Sequence, residues 1–165
     1  MNTVPPAPDL IVGTWRLVSF TEEDLQTGAV THPFGLKPNA VVIYAADGYV
    51  ATIFTAADRQ PPADAIPTDA EAIRLFRSMI AFAGRYEVDG DTLIYHPEAS
   101  WNEAWNGTTQ TRLLEITQDR LHVRSVPIPS TLTGTNIVFS LTWERAAQDR
   151  DDGPPANCPP SRSVP

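Results

Sequence analysis

The sequence predicts a mainly β protein: an antiparallel up-and-down barrel of about eight or nine strands, with one helix between the fourth and fifth. Three observations carry that prediction. Short runs rich in β-branched and aromatic residues recur at hairpin spacing along the chain. Turn signals such as Asp47-Gly48 and Asp89-Gly90-Asp91 separate them. Apolar residues at helical spacing occur in a single segment, the one after Thr68.

Met1 to Asp9 reads as a Pro-rich leader without core-forming residues, residues 10–145 as the barrel domain, and residues 146–165 as a disordered acidic and Pro-rich tail. Leu10 to Phe20 forms the first strand, its alternation placing Trp15, Leu17 and Ser19 on one face and Arg16, Val18 and Phe20 on the other. Thr27-Gly28 marks a hairpin tip, and Pro33-Phe34-Gly35 a tight turn near the mouth of the barrel. Val41 to Ala45 and Tyr49 to Thr55 pair through Asp47-Gly48. Thr68 and Glu71 have capping-box spacing: the threonine oxygen satisfies a free helix amide while the glutamate reaches back. The helix they open carries Ile73, Phe76, Ile80 and Ala83 on one face and ends at Gly84. Strands follow at Arg85 to Val88, Thr92 to Ser100, Thr109 to Ile116, Arg120 to Val126 and Asn136 to Arg145, with a Trp/Asn-rich corner at Ser100 to Gly107. Pro97 removes a ladder donor, so its strand is expected to bulge or unpair there.

The 165 residues suffice for one domain with one substantial core. A net charge of −8 and a pI near 4.7 argue against nucleic acid, which needs clustered Lys/Arg to displace counterions from phosphates. The same balance disfavours anionic membrane surfaces, and no apolar run is long enough to span a bilayer. No basic-then-apolar leader marks secretion, and the single Cys158 cannot form an internal disulfide; both fit a cytoplasmic protein. His32, His96 and His122 lack metal-ligand spacing. Dinucleotide, phosphate-loop and nucleophile-elbow signatures are absent, so no metal or cofactor is expected.

The polar groups a ligand site would use concentrate between Gly84 and Arg112. Gln110 and Arg112 share a strand face with Leu114 and Ile116. Facing inward, the amide and guanidinium would fix a carbonyl or carboxylate at one end of an apolar lumen; alternatively Arg112 pairs with a buried glutamate and only stabilises the barrel. His96, Glu98 and Ser100 share a face by period two, so His96 and Glu98 are candidates for base and orienter in a proton transfer, or else an outward polar face. Tyr44, Phe82, Tyr86, Trp101 and Trp105 are candidate lining groups for a planar ligand, or packing. Arg59 and Asn102 lie in segments that border the mouth.

Several of these stretches together resemble the bacterial and fungal lipocalin-like domain family: Gly13-Thr14-Trp15, Pro33-Phe34-Gly35, Asp47-Gly48-Tyr49, Asp58-Arg59, Ala81 to Tyr86, His96 to Ser100, Trp105 to Arg112 and Trp143-Glu144-Arg145. The resemblance spans roughly Ile11 to Arg145. It implies a barrel with an interior pocket and an Arg145 guanidinium covering Trp15, but no uniform reaction. This chain departs from the family pattern in having Tyr95-His96 where His-His is usual, and Pro97 where a β-branched residue is usual. Three functions follow as expectations: binding of a small, largely apolar organic molecule; a cofactor-free cyclase, isomerase or dehydratase of secondary metabolism, with Arg112 and Gln110 polarising a carbonyl and His96, Glu98 or a tyrosine moving a proton; or a partner-binding module anchored on Trp101 and Trp105. The sequence leaves monomer or dimer open.

Overall fold

The computed structural model describes residues 8–129 and 135–147; most of the expected leader and tail lies outside these. The elements in chain order are one helical turn, α1 (Pro8–Ile11), then β1 (Gly13–Asp24), β2 (Val30–Thr31), β3 (Asn39–Tyr44), β4 (Tyr49–Thr55), helix α2 (Asp69–Arg77), β5 (Met79–Asp89), β6 (Thr92–Ser100), a short 3-10 turn (Glu103–Trp105), β7 (Gln110–Ile116), β8 (Arg120–Ser125), β9 (Ile128–Pro129) and β10 (Asn136–Arg145). Every pairing is antiparallel. β10 returns to pair with β1, so β1, β3, β4, β5, β6, β7, β8 and β10 close into a ring of eight strands, with β2 and β9 as two-residue flanks. Among the described residues closure leaves no long edge unpaired, and it separates an interior from an exterior face along the strands of the ring.

One end of the ring is a packed floor. Trp15 is fully buried there and donates its indole N–H to the Ile11 carbonyl at 2.8 Å. The Arg145 guanidinium lies 4.0 Å over the indole and donates to the carbonyls of Leu10, Val12 and Gln118. It therefore ties three chain segments across the barrel end while using the aromatic face as its counter-surface. Gly13 makes room for it: a Cβ there would stand 2.8 Å from Arg145 Nη1. Leu93, Leu114, Leu121 and Val50 complete the floor.

Three expectations need correction. Leu10 to Val12 is not strand, because α1 delivers the Ile11 carbonyl to Trp15 and β1 begins only at Gly13. Along β1 the alternation slips: Leu17 pairs with Trp143 and Ser19 with Thr142, so Val18 is an extra residue. That bulge reverses the phase and turns Phe20 inward, on the side of Trp15 and Leu17. The helix is also shorter than its apolar spacing predicts. The capping box forms, with Thr68 N–H donating to Glu71 at 2.8 Å, but α2 stops at Arg77, and Met79 onward is strand β5. Ile80 and Phe82 satisfy helical and strand spacing alike; pairing of Met79 to Arg85 with β4 decides for strand, since it gives this backbone ladder partners in a ring that must close.

Gly84 is therefore not a helix cap. It sits mid-strand opposite a bulge, where Gly84 pairs with Pro97 and Ala83 with Ala99, so β6 spends two residues against one. A Cβ at Gly84 would stand 2.1 Å from the His96 carbonyl oxygen. The bulge falls where the missing proline N–H predicts a break in the ladder.

Candidate functional site

Period-two alternation aims one side of each strand into the ring, and toward the end opposite the floor these side chains do not meet. They leave a cavity of about 560 Å³. Its wall is chiefly apolar and aromatic: Phe20, Phe54, Phe82, Trp105, Phe139 and Trp143, with Val42, Val123 and Leu141 between them. The rings brace one another edge to face. Phe54 lies 5.3 Å from Trp143, and Phe82 lies 5.3 Å from Tyr95. Such contacts hold the wall in shape without filling the space. The volume falls in the range of sites for small organic molecules.

Among the described residues Arg112 is the single charged one on the lining of this cavity. Its guanidinium donates to the Thr111 carbonyl and to Gln110 Oε1, each at 2.8 Å, and stacks 5.0 Å from the Phe139 ring. Gln110 in turn donates from Nε2 to Thr108 Oγ1, which fixes the side of the amide that faces the arginine. Among the described residues no carboxylate lies within ion-pair distance of Arg112, so the pairing with a buried glutamate that its sequence context allows does not form. Desolvation lowers its pKa from the ordinary arginine value, yet an arginine remains charged at neutral pH.

Beside Arg112 stand two stacked phenols, Tyr44 and Tyr95, with their oxygens 2.5 Å apart. Tyr95 lines the cavity; Tyr44 is buried behind it and packs on Tyr86, whose hydroxyl donates to the Ala45 carbonyl. Burial pushes Tyr95 up to about 12 and Tyr44 well above the usual phenol value, so both stay protonated and act as donors, not bases, near neutral pH.

The structure thus brings Phe82, Trp105, Gln110 and Arg112 together on the cavity wall. It sets the other candidates elsewhere. Tyr44 and Tyr86 are core behind the wall. Arg59 donates to Ser78 Oγ and to the Leu75 carbonyl, tying the loop after β4 to the end of α2. Asn102 caps the 3-10 turn by accepting from Ala104 N–H, and Trp101 packs between Trp105 and Phe76 outside the lining. His96 and Glu98 lie on the barrel exterior: His96 Nε2 donates to Glu87 at 3.1 Å, and Glu98 approaches Arg85 at 4.0 Å. Buried Leu93, Tyr95 and Pro97 occupy the inner face of β6, so period two sends His96 outward.

Sequence reading missed Tyr95, Phe20, Phe139 and Trp143 as lining groups. Tyr95 had a signal, since its face of β6 is the more apolar one; Phe20 had none, because a bulge is invisible in an alternating pattern. Among the described residues no group of three His, Cys, Asp or Glu is placed to hold a metal ion.

A closed eight-stranded antiparallel barrel with a packed floor and an open, aromatic-walled interior has the architecture and the space to take up a ligand. The family model for the lipocalin-like domain matches residues 12–146, and the chain belongs to that family. Among solved structures, a lipocalin-like protein from Bacteroides uniformis is similar at 11% identity and a TM-score of 0.45, covering 83% of this chain and 99% of its own. An uncharacterized protein from Bacteroides eggerthii is similar at 13% identity and a TM-score of 0.39, covering 82% of this chain and 99% of its own. No curated protein matches the chain.

Proposed function

We propose that this protein binds one small, largely apolar organic molecule in the barrel interior. The observation that carries the reading is the cavity of about 560 Å³, walled by mutually braced aromatic rings above a floor that is already packed. An apolar void of this size lacks the contacts and hydrogen bonds that the rest of the core makes, and an apolar guest supplies the missing contacts. The acid/base alternative is less well supported. It needs a proton acceptor on the wall, whereas His96 and Glu98 point outward and the nearby phenols are held protonated. A partner-binding role for Trp101 and Trp105 is likewise weakened, since both are half-buried and pack on each other, on Phe76 and on Phe82.

Native mass spectrometry of the purified protein, with the released small-molecule fraction analysed beside it, tests the proposal. A bound apolar molecule, or uptake of a neutral apolar molecule offered to the empty protein, supports it. An empty protein that takes up neither contradicts it.

A further inference from the structure

We infer that the ligand carries one acidic group, a carboxylate or an equally compact oxyanion, and that Arg112 with Tyr95 forms its seat. The inference rests on the binding reading above and goes beyond it by fixing the ligand's polar end.

The argument is one of unused hydrogen-bonding capacity. A guanidinium has five N–H donors, and Arg112 spends two of them, on Thr111 and Gln110. The remainder have no protein acceptor among the described residues, and no carboxylate balances the charge. A partly desolvated cation without a counter-charge is costly, and the cost is removed by an anion arriving with the ligand.

The neighbouring phenols point the same way. Tyr44 and Tyr95 share one hydrogen bond between their oxygens. When Tyr44 donates to Tyr95, the Tyr95 proton is released toward the cavity, which Tyr95 lines and Tyr44 does not. Gln110 Oε1, the amide acceptor on this wall, already accepts from Arg112. The polar end of the cavity therefore presents donors to an incoming group and suits an acceptor with negative charge. Phe139 stacked on the guanidinium and the Gln110 to Thr108 contact hold the fork in place before the ligand arrives. The aromatic wall beyond it fits a flat apolar body, so the ligand class is a small aromatic or polycyclic acid.

Competition against N-phenylnaphthylamine, a neutral apolar fluorophore, separates this inference from the reading beneath it. Naphthoic acid and naphthamide, matched in shape and differing in charge, compete for the dye in wild-type protein and in Arg112→Met and Arg112→Lys. The acid is expected to bind wild type more tightly than the amide, and Arg112→Met to weaken the acid roughly ten- to a hundredfold while moving the amide by less than about threefold. Arg112→Lys, which keeps the charge, is expected to retain part of the preference for the acid. Equal affinities for acid and amide in wild type, or a preference that survives Arg112→Met, would overturn the inference while leaving the apolar site intact. Failure of the dye itself to bind wild type would instead remove the binding reading and this inference with it.

Discussion

Gly84→Ala is the perturbation whose cost the structure fixes most tightly. A Cβ at this position would lie 2.1 Å from the His96 carbonyl oxygen and 2.9 Å from both Glu98 N and Pro97 Cα. All three are backbone atoms, so no side chain can swing aside. Relief requires β6 to lift away from β5 at the bulge, and strain of this kind costs about 1–3 kcal/mol. Loss of an adjoining ladder bond adds about 1 kcal/mol. The expected destabilisation is then about 3 kcal/mol, and at about 3 °C per kcal/mol for a domain of this size the melting temperature should fall by about 10 °C. Gly28→Ala is the internal control. Its φ is +71°, but nothing lies within 4 Å of a Cβ there, so only conformational strain of about 1 kcal/mol applies. Urea denaturation followed by tryptophan fluorescence measures both. If Gly84→Ala costs no more than Gly28→Ala, the β5–β6 register is wrong, and with it the outward placement of His96 and Glu98.

Three further predictions follow from the same geometry. His96→Ala and Glu98→Ala should each leave the affinity for a neutral apolar dye within about twofold, since both sit on the exterior face; a tenfold loss, about 1.4 kcal/mol, in either variant would place that side chain at the cavity. Glu71, held at about 2 by hydrogen bonds from Ala63 and Thr68, should stabilise the start of α2 fully above its ordinary carboxylate pKa and progressively less as pH falls toward 2. Comparison of acid unfolding in wild type and Glu71→Gln checks this, the variant lacking that part of the pH dependence. The phenols behave oppositely: with folded values raised, Tyr44 and Tyr95 favour the native state below the ordinary tyrosine pKa, an advantage lost as pH rises through those raised values, about 12 for Tyr95. An ultraviolet titration should show them ionising only at the top of this window or on alkaline unfolding, whereas ordinary ionisation near 10 in native protein would contradict their burial.

Much of the barrel was legible because its turns are written in residue types with one mechanical use. Asp47-Gly48 and Asp89-Gly90 place glycines at φ of 86° and 60°, where other residues are strained, and so punctuate strands unambiguously. The capping box at Thr68 and Glu71 fixed where α2 begins. Where it ends was hidden, because Ile73, Phe76 and Ile80 repeat at helical spacing while Ile80 and Phe82 also alternate as a strand, and only pairing with β4 decides between them. The candidate site divided along similar lines. Gln110 and Arg112 were readable because β7 is regular and its inner face leads on to buried Leu114. His96 and Glu98 stayed open because chemistry-bearing residues at period two share a face without saying which face it is; the more apolar face of Leu93 and Tyr95 hinted that theirs points outward, and burial in the folded ring decides it. That no carboxylate among the described residues stands beside Arg112 is a property of the neighbouring strands together, and no local pattern records it.

Titration of N-phenylnaphthylamine into wild type and into a cavity-filling Leu141→Trp variant addresses the interior most directly. Leu141 lines the cavity and is nearly buried, so an indole there occupies space the ligand would use. One saturable site in wild type, with excitation transferred from Trp143 and Trp105 on the wall, and its loss in a folded Leu141→Trp protein, is the predicted result. Binding that the filled variant retains unchanged, or no saturable binding to wild type, would contradict an interior site.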